Sequence, residues 1–259
     1  MNDLMLAAAQ RLAAAGSDSA ARLEARLLWE HAQKTGADFE ALVARRESRE
    51  PVAYITEHKE FWSLDLHIGR GVLVPRPDTE TLIEEALRIV ADRCAPLRIA
   101  DLGTGSGAIL IAALKEFPNA TGIGFDTSPY AYGWARDNAA RLIGPRAEIR
   151  LEDWNSASGP FDLIFCNPPY IPSVEIESLA PDVSRFEPRA ALDGGPDGLS
   201  AYRALAKLLP GLLKSGGHAL LEIGLGQALS MSSLFQGLEI VRIAPDLSGI
   251  PRCVILRAP

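Results

Sequence analysis

Short apolar runs alternating with amphipathic stretches dominate the chain from about residue 97 onward. "LRIADLG", "ATGIGFD", "AEIRLED", "FDLIFCN" and "GHALLEIG" are aliphatic and β-branched runs that predict five strands. "GAILIAALKEF", "SPYAYGWARDNAARL" and "GLSAYRALAKLLPGLL" carry apolar residues at helical spacing and predict three helices. Repeated strand–helix units imply a parallel sheet covered by helices on both faces. The closing stretch "LEIVRIAPDLSGIPRCVILRA" reads as two strands joined by a tight turn, which forces an antiparallel edge strand.

Upstream the texture differs. "SDSAARLEARLLWEHA" predicts a helix capped by Ser17 or Ser19, with Leu23, Leu27 and Trp29 near one face. "DFEALVARRES" predicts another short helix. "VAYITEHKEFWSLDLHIGRGVLV" is β-branched and aromatic with rough alternation and reads as a hairpin and linker. "PRPDTETLIEEALRIV" then opens a helix with Asp78 or Thr79 as cap. The chain thus divides into a helical module (1–50), a β-hairpin linker (51–75) and an α/β domain (76–259).

Composition narrows the function. With 259 residues, 47% hydrophobic and 23% charged, a sizeable core is expected. The net charge of −7 disfavours general attraction to a phosphate backbone. Cys94, Cys166 and Cys253 are widely spaced in or near apolar runs and read as small buried hydrophobes, and the four histidines lack ligand spacing. No basic leader and no run of roughly 18 apolar residues is seen, so a cytoplasmic setting without a membrane span is expected.

The chemistry gathers at the strand ends. "DLGTGSG" places Gly103, Gly105 and Gly107 between the first strand of the α/β domain and its helix, where glycine permits positive φ and close approach of a ligand. The spacing Gly-x-Gly-x-Gly departs from the dinucleotide fingerprint, which disfavours a nicotinamide-dependent dehydrogenase, and no Gly-Lys-Ser/Thr is present for an ATPase. Asp126, ending the next strand, can accept both hydroxyl protons of a ribose. Asp153 can hold an exocyclic amino group while Trp154 packs on a purine. With Asp101, these carboxylates predict one site for an adenosine-bearing ligand.

"IFCNPPYI" then ends a buried strand in a stiff elbow. Its prolines lack N–H donors, so Asn167 and a proline carbonyl present mainly acceptors. Two fixed acceptors suit a planar –NH2, with Tyr170 as a stacking face, and they raise electron density at that nitrogen. No general base is evident, and none is needed if the proton leaves after transfer.

"NPPY" together with "DLGTGSG" resembles the class I S-adenosylmethionine-dependent methyltransferases that modify planar amino nitrogens. "PVAYITEHKEFWSLDL", "VLVPRPDTETLIEEAL", "DVSRFEPRAALDGGPDGL" and "LLEIGLGQ" are similar to the peptide chain release factor glutamine methyltransferases, from about residue 50 to the C-terminus. The resemblance implies a Rossmann-like, mostly parallel seven-stranded sheet with an antiparallel terminal strand, preceded by a small helical substrate-recognition domain. It implies S-adenosyl-L-methionine as cofactor and the Gly-Gly-Gln glutamine of class 1 peptide chain release factors as target, in a monomer without direct nucleic-acid contact. Carried over, Asp101, Gly103, Thr104, Gly105, Ser106, Gly107, Asp126, Asp153, Trp154 and Asn167 bind the cofactor. Asn167 and the Pro168 carbonyl hold the amide, and Tyr170 packs on it. Pro169, Arg76 and Pro77 complete the substrate side.

One departure is Glu57, where the family usually has glycine. If that glycine serves a left-handed turn, Glu57 implies a locally different hairpin. Two rivals share parts of the site. An exocyclic-amine methyltransferase for nucleic acid would want a basic groove. A catalytically idle binder of the cofactor would have no use for an acceptor-only elbow.

Overall fold

The computed structural model describes residues 3–17 and 19–259. Three helices open the chain: α1 (Asp3–Leu12), α2 (Ala21–Thr35) and α3 (Phe39–Glu47). They share a core of Ala8, Leu12, Ala25, Leu28 and Val43. The buried stripe of α2 is Ala21, Ala25, Leu28 and Ala32, whereas Leu23 and Leu27 are 50% and 37% exposed. Small side chains let the helices approach closely, so the expected leucine face is the outer one. Neither Ser17 nor Ser19 caps α2: Ala20 holds the cap position without a side-chain bond. The Ser17 hydroxyl instead accepts from the buried Arg46 guanidinium at 2.9 Å. Asp38 caps α3 through the Glu40 N–H.

The linker begins as a helical turn, not a strand. Pro51 precedes α4 (Val52–Thr56), in which Ala53, Tyr54, Ile55 and Thr56 are all buried. Residues that read as alternating in sequence are therefore covered on every side. Glu57 ends this turn with φ 59° and ψ 21°, in the left-handed region. Glu57 therefore takes up the left-handed conformation that glycine favours, with its side chain in place. β1 (His58–Phe61) and β2 (Leu64–His67) follow as an antiparallel pair. A 3-10 turn, Pro77–Thr79, leads into α5 (Glu80–Ile89), and neither Asp78 nor Thr79 caps it by side chain.

The α/β domain continues with β3 (Arg98–Leu102), α6 (Ala108–Glu116), β4 (Thr121–Asp126), α7 (Pro129–Leu142), β5 (Ala147–Leu151) and β6 (Phe161–Cys166). After β6 come α8 (Pro181–Ser184), α9 (Ser200–Leu212), β7 (Leu213–Glu222), α10 (Ala228–Leu234), β8 (Glu239–Pro245) and β9 (Pro251–Arg257). The sheet order is β5-β4-β3-β6-β7-β9-β8, and the antiparallel strand, β9, is inserted between β7 and β8 and is not the edge strand expected from the sequence. Successive residues face opposite layers: Leu163 and Phe165 pack with α5 and α6, while Ile164 and Cys166 pack with α9. The chain steps outward from β3 to β5 and then returns to β6 on the other side of β3. That reversal opens a crevice at the carboxyl ends of β3, β4 and β6. Cys166 and Cys253 are buried as expected, but Cys94 is exposed, in the loop before β3.

Candidate active site

The glycine loop follows β3, and its backbone explains its composition. Gly103, Gly105 and Gly107 have φ of 76°, 57° and 83°, a region where a side chain is strained. The loop is tied to the next strand: the Gly103 and Thr104 N–H groups donate to the Phe125 carbonyl at 2.9 Å. The Gly105 N–H donates to Asp126 Oδ2 and the Ser128 N–H to Asp126 Oδ1, both at 2.9 Å. Burial raises the Asp126 carboxyl, while those N–H donors pull it down. Asp101 is fully buried beneath the loop and takes the Thr104 hydroxyl on Oδ2 at 2.6 Å. Burial pushes its carboxyl up to about 7, and its Oδ1 has no partner among the described residues.

A cavity opens above this loop. Gly103, Thr104, Gly105, Ser106 and Asp126 form its floor, and Asp153 and Trp154 one wall. Asn167, Pro169 and Arg76 form the opposite side. Asp101, Gly107, Pro168, Tyr170 and Pro77 are not among the residues that line it. Asp153 is exposed and accepts from the Asn155 N–H at 2.8 Å, so it caps the turn that carries Trp154. Sequence reasoning missed Val72 and Leu73 of the linker, Thr127, and Ala190 and Ala191. The "FEPRAAL" similarity pointed toward the last pair without giving them a position.

The elbow is held by side chains from two other elements, and one of them, Thr79, also lines the cavity. The Asn167 Nδ2 donates to Thr79 Oγ1 at 3.3 Å, and the Thr79 hydroxyl donates to Glu222 Oε2 at 2.5 Å. The Tyr170 hydroxyl donates to the other oxygen, Glu222 Oε1, at 3.1 Å. Glu222 ends β7 with 1% exposure; burial raises its carboxyl, and the Thr79 and Tyr170 donors lower it. The exit of the elbow is also fixed, since Gln227 Nε2 donates to the Tyr170 carbonyl at 2.9 Å. Ile171 exchanges backbone bonds with the stretch after Pro188: its N–H donates to the Leu192 carbonyl, and its carbonyl accepts from Gly194.

Arg76 stands at a seam. It lines the cavity and also a groove between α2, the hairpin and α8, to which Glu24, Lys34, Lys59 and Asp182 contribute. Its guanidinium donates to the buried Glu187 at 2.5 Å. Asp182 of α8 pairs in turn with Arg49 at 3.3 Å and Arg46 at 3.5 Å, which joins the helical module to the segment after the elbow. Among the described residues no group of three metal-ligating side chains occurs, and no helix is long and apolar enough to cross a membrane.

A glycine loop at the crevice, a carboxylate at the end of β4 and a seven-stranded sheet with an antiparallel β9 define a class I S-adenosylmethionine-dependent methyltransferase. The residues fit that cofactor, because the positive-φ glycines Gly103 and Gly105 bring bare backbone to the cavity and Asp126 and Trp154 border the same space. Residues 81–180 match the family described as the methyltransferase small domain. The chain is 49% identical over 223 residues to the release factor glutamine methyltransferase of Rhodospirillum rubrum, covering 85% of this chain and 68% of that one. It is 44% identical to the enzyme of the same name from Cereibacter sphaeroides, over 99% of this chain and 98% of the relative. A solved methyltransferase from Pyrococcus furiosus shares the fold at 19% identity, with a TM-score of 0.54 over 84% of this chain and 96% of that one. The chain belongs to the release factor glutamine methyltransferase family.

Proposed function

We propose that this protein transfers a methyl group from S-adenosyl-L-methionine to the side-chain amide nitrogen of the glutamine in the Gly-Gly-Gln motif of class 1 peptide release factors. One observation carries the reading: the Asn167 amide spends its nitrogen on Thr79, which leaves Oδ1 as an acceptor in an elbow whose prolines have no N–H. Membership in the family selects glutamine over adenine, and the acidic net charge of −7 agrees with a protein substrate.

When bound, the cofactor would supply an electrophilic methyl carbon on a neutral thioether leaving group, and the amide nitrogen would give up one proton to solvent. The protein's part is to hold the nucleophile. Asn167 Oδ1 and the Pro168 carbonyl accept the two amide hydrogens, which turns the lone pair toward the cofactor side and raises its electron density. Tyr170 backs the elbow. Asp126 takes the ribose, Trp154 flanks the adenine and Gly103 to Gly107 cradle the methionine end. Arg76, at the seam between cavity and groove, meets the substrate chain as it enters. The helical module of residues 1–50 serves substrate recognition, and the protein acts as a cytoplasmic monomer without direct nucleic-acid contact.

Methyl-labelled S-adenosylmethionine should label an unmodified release factor, and labelling should vanish when the factor's Gly-Gly-Gln glutamine is replaced. Asn167→Ala should cut turnover by roughly a hundred-fold or more with cofactor affinity nearly unchanged. Labelling of an oligonucleotide in place of the factor would transfer the elbow to the nucleic-acid reading.

A further inference from the structure

The geometry points to Glu222 as the residue that decides which end of the Asn167 amide faces the substrate, acting through the hydroxyl of Thr79. The inference rests on glutamine as the substrate. A threonine hydroxyl has one proton and two lone pairs. Thr79 commits its proton to Glu222 Oε2 at 2.5 Å, so toward Asn167, at 3.3 Å, it can only accept. The amide must therefore turn its –NH2 to Thr79 and its oxygen away.

Reversing that arrangement would be chemically easy but functionally costly. If the Thr79 hydroxyl were free, it could donate to Asn167 Oδ1, and the amide could rotate by half a turn with little steric change. Asn167 would then present N–H groups to a substrate that itself offers N–H groups, and two donors facing each other make no bond.

The second oxygen of Glu222 accepts from Tyr170, so both carboxylate oxygens serve the elbow. Thr79 borders the cavity yet is only 4% exposed, and Glu222 is 1% exposed, so water competes weakly for either bond. The three supports come from separate elements: the turn before α5, the end of β7, and the chain just past β6. Glu222 touches no reacting atom in this arrangement. It is a positioning residue, and nothing in "LLEIGLGQ" as a sequence assigns it that task.

The test compares Thr79→Val, which keeps the shape and removes the hydroxyl, with Thr79→Ser, which keeps the hydroxyl. Thr79→Val should lower kcat on the release factor roughly ten- to hundred-fold, with KM for S-adenosylmethionine and the melting temperature nearly unchanged. Thr79→Ser should restore kcat to within about threefold of wild type. Glu222→Leu, which removes the acceptor, should lose at least as much kcat, and the Thr79→Val/Glu222→Leu double variant should lose little more than Glu222→Leu alone, because the Thr79 hydroxyl acts only through Glu222. Equal losses in the valine and serine variants would overturn the inference in favour of packing by the Thr79 methyl. Retention of kcat by Thr79→Val, or fully additive losses in the double variant, would overturn it as well. Wild-type protein that leaves the factor unlabelled, with cofactor bound, would instead overturn the glutamine reading on which the inference stands.

Discussion

Asp101 shows how a single buried side chain sets a pH dependence. It is fully buried, holds one hydroxyl donor, and its carboxyl is pushed up to about 7 by burial. In the unfolded chain it titrates near about 3.9. Between those values the folded protein keeps a proton that the unfolded chain has released. The stabilisation from this group is therefore fully present below about pH 4 and is lost as pH rises through about 7. Asp101→Asn removes that slope. Urea unfolding of the two proteins at pH 5 and pH 8 should show the variant gaining on wild type by on the order of 2 kcal/mol between the two values. A constant difference would mean that Asp101 is charged in the fold at both. The raised carboxyls of Glu187 and Glu222 are common to both proteins and cancel in the comparison.

At the level of elements, Glu57 is a place where a side chain occupies a left-handed turn that favours glycine. A non-glycine residue with φ 59° after α4 carries strain of order 1 kcal/mol. Glu57 is exposed, so replacing it disturbs no packing. Glu57→Gly should raise stability by about 0.5–1 kcal/mol in denaturant titration, the relief of strain being partly offset by the greater freedom of glycine in the unfolded chain. A loss of stability would show that the Glu57 side chain holds the turn. The same region marks where the sequence was hard to read. The strands and helices from β3 to β9 were legible because each is an apolar run or a helical stripe bounded by turn residues. The α4 turn was not, because "VAYIT" looks alternating while the fold buries its last four residues on every side. In α2 the buried stripe is three alanines and Leu28, so the large apolar side chains of Leu23 and Leu27 mark the outer face. The glycine loop, Asp126, Trp154 and Asn167 were legible from their places at strand ends. Thr79 and Glu222 were not: one looked like a helix cap and the other like a lone acid in an apolar strand. Each acquires a role only from a partner far away in the chain.

Across the whole molecule, that distance has a consequence in time. The cofactor cradle is sewn by short stitches: Thr104 to Asp101 spans 3 residues, and Gly105 to Asp126 spans 21. The elbow's support spans 88 residues from Thr79 to Asn167 and 143 from Thr79 to Glu222. Loops that long close late, and chains of this size commonly fold through populated intermediates. On dilution from denaturant, cofactor binding should return in an earlier phase than methyl transfer, which a stopped refolding series read by both assays would resolve. Recovery of the two in a single phase would mean that the bond from Thr79 to Glu222 forms with the rest of the sheet. A newly made molecule would otherwise pass through an interval in which it is loaded with cofactor yet inert toward its substrate.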